Sequence, residues 1–357
     1  MLYAFGSNGS GQLGVGHEDD LSRPSPSTLD TSESKSRIKQ VAAGGNHTVF
    51  LNTDGRVAVT GSDEHGQCNF TNGVNTRELK FETAFYTSEQ GVTRSASIAH
   101  VAATWNASIL CTSDGQILVV GEGLNGELGL GHQVSQMSDA HCIPDFPPTG
   151  RSVVQLAACM AHVVAVLDDG TIYGWGKGSK GQLGEPAEDV WVPRKIQGIP
   201  FAVSKAVCGK DFTCLASAKG ELSILGLKTR DRFNLLGSKP VAIPSWKDIA
   251  ASWGSVFILM NDGKLISFGR NDHGQLAPPD LPSLTALAAG SEHCLAIADA
   301  GDVLAWGWGE HGNCGEPTDH RGDVNGRWNV VGMQAQKASA VFAGCATSFV
   351  LAGDDQT

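Results

Sequence analysis

The chain repeats one pattern about every fifty residues, and a repeat of that length restricts it to architectures that stack or ring similar units. Val41-Ala42-Ala43-Gly44-Gly45-Asn46-His47-Thr48-Val49 leads into an Asp54-Gly55 turn, a second apolar run and a glycine. The opening returns at Val101-Ala102-Ala103, Leu156-Ala157-Ala158, Ala206-Val207-Cys208, Ile249-Ala250-Ala251, Leu287-Ala288-Ala289 and Phe342-Ala343-Gly344. The turn glycines Gly55, Gly115, Gly170, Gly220, Gly263 and Gly301 are separated by 60, 55, 50, 43 and 38 residues, so insertions vary around a fixed unit.

The seventh unit starts at Phe342 and reaches Asp354-Asp355, where its turn belongs, just before the last residue, Thr357. Its second half lies at the other end. Leu2-Tyr3-Ala4-Phe5-Gly6-Ser7-Asn8-Gly9 with Gln12-Leu13-Gly14 matches Ile172-Tyr173-Gly174-Trp175-Gly176 with Gln182-Leu183-Gly184. The expected fold is all-β: a seven-bladed β-propeller, one domain over residues 1–357, closed by pairing the N- and C-terminal half-blades. Each blade is expected to have four antiparallel strands, with the Asp-Gly pair as a two-residue hairpin turn. Residues 70–100 carry no repeat signal and read as a surface loop or insertion. Gly226 to Phe233 departs from the usual turn, as does the segment ending at Cys68-Asn69; such departures are where specific function is expected.

A unit of roughly fifty residues cannot bury a core alone, so the units must share one. With 45 glycines, 41% hydrophobic and 18% charged residues, the composition suits turn-dense β structure. No run approaches the roughly 18 apolar residues needed to span a bilayer, and Leu2–Gly6 already belongs to a repeat, so neither a membrane segment nor a leader is expected. Nine cysteines, several within strand runs, point to a reducing compartment, cytosol or nucleus. A formal charge of −11 argues against direct DNA binding.

Phe5, Trp175, Phe268 and Trp306 recur at one repeat position and are expected between blades. His47, His162 and His293 also share a position; ring-wide recurrence suits structural hydrogen bonding better than catalysis. Gly121-x-Gly123-x-x-Gly126 and its counterparts at Gly176 and Gly307 imitate a dinucleotide fingerprint but lead into a turn and a strand rather than a helix. No Cys-x-x-Cys, nucleophile elbow or phosphate-binding loop occurs, and His17-Glu18-Asp19-Asp20 reads as a solvated acidic loop. No metal, cofactor or catalytic activity is expected.

The loops after the Ala-Ala pairs place Gly45, Trp105, Met160, Lys210, Trp253, Ser291 and Cys345 at equivalent stations near the axis of one face. Tryptophan and methionine in turns suit an interface centre. Trp105, Asn106, Met160, Lys210, Asp211, Trp253 and Glu292 are therefore the candidate partner-binding residues, with Asn106, Asp211 and Glu292 as a polar rim. The contrasting reading makes the two indoles local lids over neighbouring loops.

The Ala-Ala-Gly-x-x-His-Thr segment, the Asp-Gly turn and Trp-Gly-x-Gly-x-x-Gly-Gln-Leu-Gly at Trp175 to Gly184 resemble the regulator of chromosome condensation family over nearly the whole chain. That family's ultraviolet-B receptors place Arg after the loop tryptophan; here Asn106 and Gly254 follow. The chromatin-bound exchange factor carries a basic N-terminal tail, where this acidic chain opens on a strand. The N-terminal segment, with Gly16-His17-Glu18, looks like the fungal alpha-tubulin-suppressor, or killer-toxin-insensitivity, branch. That likeness implies a noncatalytic scaffold, the heterodimeric partner of a small cysteine-rich zinc- or iron-binding protein of diphthamide synthesis. It further implies support, through Elongator, of tRNA wobble-uridine modification. The alternatives are a guanine nucleotide exchange factor for a small GTPase, with residues 70–100 as its wedge, and a ubiquitin-pathway adaptor.

Overall fold

Each Asp-Gly turn creates a hairpin by a route slightly different from the expected one. In the first, Gly55 N–H donates to Asn52 O (3.3 Å), Asn52 N–H donates to Arg56 O (3.0 Å), and only Gly55 takes a positive φ, 84°. Thr53 and Asp54 are thus the turn centre, and glycine supplies the left-handed residue that follows it, the three-residue form of hairpin loop. A side chain at Gly55 would also overlap Ser97 Oγ. The same bond recurs at Gly115, Gly170, Gly220, Gly263 and Gly301.

The computed structural model describes residues 1–29, 37–71, 79–88, 91–227, 230–333 and 336–353. The Asp354-Asp355 turn lies outside them. Seven sheets follow one another around the ring. Blade one is Ile38–Ala43, His47–Asn52 and Val57–Gly61; blade two Ile98–Ala103, Ala107–Thr112, Ile117–Glu122 and Gln136–Cys142. Blade three is Val153–Cys159, His162–Leu167, Ile172–Gly176 and Val190–Lys195; blade four Lys205–Cys208, Phe212–Ala216 and Leu222–Gly226. Blade five is Trp246–Ala251, Ser255–Met260 and Leu265–Gly269; blade six Leu284–Ala289, His293–Ala298, Val303–Trp308 and Asp323–Val331. Blade seven joins the chain ends in the order Leu21–Pro26, Leu2–Gly6, Thr347–Ala352, Ala338–Ala343. Leu2 pairs with Leu351 and Gly6 with Thr347, which closes the ring by hydrogen bonding as the half-units required.

Two expectations are corrected. Blades one, four and five have three strands among the described residues rather than four. The 70–100 segment is not simply a loop: Ala84–Thr87 and Thr93–Ala96 form a hairpin that extends blade two at its outer edge, Thr87 lying opposite His141 in parallel. Tyr86 Oη donates to Gln116 Oε1 (2.8 Å), so the hairpin sits by the Asp114-Gly115 turn, at the strand ends opposite the Trp105 loop.

Aromatic rings fill the wedges between blades. Phe5, Trp175 and Trp306 are fully buried and Phe268 is 5% exposed. Trp175 Nε1 donates to Glu127 O of the preceding blade's turn (2.8 Å), and Trp306 Nε1 does the same to Gln275 O (3.0 Å). Such rings combine large apolar area with one satisfied polar atom. The three histidines clamp blades as well. His47 Nε2 meets Ser108 Oγ (3.1 Å), His162 Nε2 meets Thr213 Oγ1 (3.0 Å) and His293 Nε2 meets Ser348 Oγ (3.0 Å), each hydroxyl belonging to the following blade. These hydroxyls donate their single proton to Gln67 O, Gln182 O and Asn313 O, so the histidine must donate from Nε2 and hold Nδ1 unprotonated. Burial lowers all three histidines to about 4, which keeps that neutral form.

Candidate functional site

The loops joining the first and second strands of the blades converge on one face because every inner strand runs toward it. Gly45 N–H donates to Trp105 O (3.0 Å) and Trp105 N–H to Met160 O (2.7 Å), linking blades one, two and three. Lys210 N–H donates to Trp253 O (3.0 Å), Trp253 N–H to Ser291 O (2.9 Å) and Ser291 N–H to Gly344 O (3.0 Å), linking blades four to seven. Backbone bonds thus hold the stations rigidly, and side chains are what vary among them.

Over this frame the indoles of Trp105 and Trp253 meet, centroids 6.2 Å apart and planes at 45°. Trp105 is 38% exposed and lies against Gly45, where a Cβ would come within 2.7 Å of the ring. Trp253 is half-buried and carries Lys210 Nζ 5.4 Å from its centroid. Beneath the pair is a cavity of about 110 Å³ at the axis, lined by the second alanine of the Ala-Ala pairs, Met160, Cys159, Cys208 and Cys345. Burial pushes the Cys208 thiol up to about 12 and raises the other two, so all three are protonated and poorly nucleophilic at neutral pH.

The remaining candidates differ in role. Met160 is half-buried in a left-handed turn (φ 51°), and Lys210 is exposed. Asn106 donates from Nδ2 to Glu122 Oε2 (3.1 Å) and is tied to its own blade. Asp211 is half-buried at the edge of a larger cleft. Glu292 is only 4% exposed, its carboxylate held by Arg270 Nη1 and by Gln275 Nε2 (2.6 Å). The cleft, about 390 Å³, adds Arg230, Arg232 and Phe233, which the sequence marks only as part of an irregular segment, and Arg270, which nothing in the sequence marks. The signal was the irregular Gly226–Phe233 segment, whose Lys228 and Thr229 lie outside the described residues. Among the described residues no group of three histidine, cysteine or carboxylate side chains could hold a metal, and no helix is long and apolar enough to cross a membrane.

The RCC1-like domain matches residues 1–352. An RCC1 repeat-containing protein of Schizosaccharomyces pombe is 27% identical over 98% of both chains. The secretion-regulating guanine nucleotide exchange factor of Bos taurus is 30% identical, over 89% of this chain and 76% of its own. The Mus musculus protein of that name is 27% identical over 99% and 83%. Among solved structures, Prp20p of Saccharomyces cerevisiae, studied with Gsp1p and histones, superposes with a TM-score of 0.78 at 20% identity, covering 99% of this chain and 92% of that one, a likeness of fold.

These relatives correct the functional expectation. The implied noncatalytic scaffold for a cysteine-rich diphthamide-synthesis protein, with its links to Elongator and tRNA wobble uridine, gives way to relatives named for nucleotide exchange. Exchange factors act catalytically, since they speed nucleotide release and are recovered unchanged, so the expectation of no catalytic activity falls too. The residues that resemble the alpha-tubulin-suppressor branch lie in one terminal segment, whereas the exchange-factor likeness extends over 89% or more of the chain. The chain belongs to the RCC1-like domain family.

Proposed function

We propose that the protein is a guanine nucleotide exchange factor for a small GTPase. The observation that carries this reading is the likeness, along 89–99% of the chain, to two relatives bearing that name. An exchange factor works by differential affinity: it binds the nucleotide-free GTPase more tightly than the loaded one, and by reciprocity weakens the nucleotide by the same factor. Such a factor needs a rigid docking face with a few anchoring side chains rather than reactive groups. The face bearing Trp105, Met160, Lys210, Asp211 and Trp253 meets that need, with its backbone fixed by loop-to-loop bonds. The 84–96 hairpin is set at the opposite strand ends, which favours the Arg230–Phe233 segment beside Trp253 over residues 70–100 as the element reaching toward the nucleotide site. The active unit is taken to be the single propeller domain, and the fold likeness to one yeast protein, Prp20, studied with histones and in a complex with Kap60, supports action in the nucleus alongside the cytosol.

Release of a fluorescent GDP from a panel of small GTPases, Gsp1p included, tests the proposal. Catalytic amounts of the protein should accelerate release from at least one. Unchanged rates across the panel, with a cooperatively folded protein, would sink it.

A further inference from the structure

Beyond blade four the backbone leaves the propeller at Leu227 (φ 65°) and returns through a short helix, Leu235–Ser238. That excursion lays Arg230, Asp231, Arg232 and Phe233 beside Lys210 and Trp253, and the resulting cleft of about 390 Å³ also reaches Lys180 and Arg270. Five cations line it against three carboxylates, in a chain of formal charge −11. Two of the carboxylates are already committed. Asp231 accepts the backbone N–H groups of Leu235 (2.8 Å) and Leu236 (2.7 Å), and Glu292 is shared by Arg270 and Gln275. Only Asp211 is left to face Lys180, Lys210, Arg230 and Arg232, which form no ion pair among the described residues.

Aromatic rings hold several of these charges in place. Arg232 and Arg270 each sit 5.4 Å from the Phe233 centroid, and Lys210 is 5.4 Å from that of Trp253. Half-buried Leu227 and Phe233 supply an apolar wall between the cations. We propose that this cleft binds an acidic segment of a partner protein, its carboxylates spread over Lys180, Lys210, Arg230 and Arg232 and one aliphatic or aromatic side chain against Leu227 and Phe233. The volume and the apolar wall exceed what a free phosphate would use, and cations gathered in a concave cleft focus potential toward an anionic partner. The inference does not depend on nucleotide exchange.

The test is fluorescence anisotropy of the full chain with a labelled glutamate-rich peptide containing a central phenylalanine. The native protein should bind it in a salt-sensitive manner. The Lys210→Glu/Arg230→Glu double variant should bind about tenfold or more weakly, while Lys264→Glu, on a distant turn of blade five, should bind normally. Replacing the phenylalanine by glycine should also weaken binding. Both altered positions are exposed, and equal melting temperatures would verify that the fold is kept. Undiminished binding by the double variant overturns the proposal. Displacement of the peptide by an equal concentration of inorganic phosphate does so as well, by marking a simple phosphate site.

Discussion

Trp105 of blade two and Trp253 of blade five touch across the mouth of the axis, with ring centroids 6.2 Å apart, although two blades separate them along the chain. Trp105 covers Gly45 as a lid would, yet it is 38% exposed and shares with Trp253 an aromatic surface that a partner could cover.

Replacing either ring by alanine should separate folding from function. An aromatic pair contributes on the order of 1 kcal/mol beyond its buried area, so stability should fall modestly. If the pair anchors the GTPase, its loss should cost about 2 kcal/mol of binding, roughly thirtyfold. Stimulated GDP release measured for Trp105→Ala, Trp253→Ala and the double variant provides this, and the double-mutant cycle isolates their coupling. Wild-type stimulation by all three variants would remove this face from the docking site.

Ring closure rests on five consecutive residue pairs between Leu2–Gly6 and Thr347–Ala352. Deleting residues 340–357 would leave Leu2, Ala4 and Phe5 without the strand that buries them, and sheets in this fold share their cores with neighbours. The truncated chain should lose its cooperative urea transition. A subtler probe is Gly6→Ala: Gly6 has φ 111° and an added Cβ would overlap Ala346 O, so about 2 kcal/mol or more of stability should be lost. A truncated chain that unfolds as sharply as the intact one would show that the seam contributes little.

What the sequence made legible was whatever repeats. The blade number, the closure, and the placements of Trp175, Trp306 and the three histidines all follow from a residue type recurring at one position, because a ring of similar blades gives similar positions similar environments. The hydroxyl partners Ser108, Thr213 and Ser348 were equally periodic, but their role depends on which blade they face. What stayed hidden arises from contacts between units. Glu292 reads as a loop-rim carboxylate until Arg270, more than twenty residues earlier, is seen to cover it. Irregular segments give no register, so neither the 84–96 hairpin nor the cationic cleft beyond Gly226 could be placed from pattern alone.

Acidification should destabilise the protein in a window set by the histidines. In the unfolded chain a histidine titrates near 6.5, whereas His47, His162 and His293 take up a proton only at about 4 in the fold. Above pH 6.5 both states hold neutral rings and the contribution to stability is complete. As pH falls toward 4 the unfolded state binds protons that the native state does not, and stability declines, by about 2 kcal/mol per histidine between pH 7 and 5. Urea midpoints at those two pH values should differ strongly for the native chain. They should differ less for His162→Gln, which retains a donor for Thr213 without a titrating ring. An identical pH response in that variant would exclude His162 as a contributor.

Arg270 joins two roles, neutralising buried Glu292 and bracing Phe233 in the cleft. It is bound to Asp272 through Nε (2.6 Å) and Nη2 (2.8 Å) and to Glu292 through Nη1, while burial raises the Glu292 carboxyl above its usual range. Removing the guanidinium leaves that carboxylate with Gln275 as its remaining side-chain partner, at a cost of about 3 kcal/mol by analogy with other broken buried pairs. Arg270→Ala should therefore be strongly destabilised at pH 7, and adding Glu292→Gln should restore part of the loss because the orphaned charge is gone. The comparison needs only thermal or urea unfolding of the two variants. If the double variant is no more stable than Arg270→Ala, the penalty comes from lost packing on Phe233 rather than from the uncompensated carboxylate.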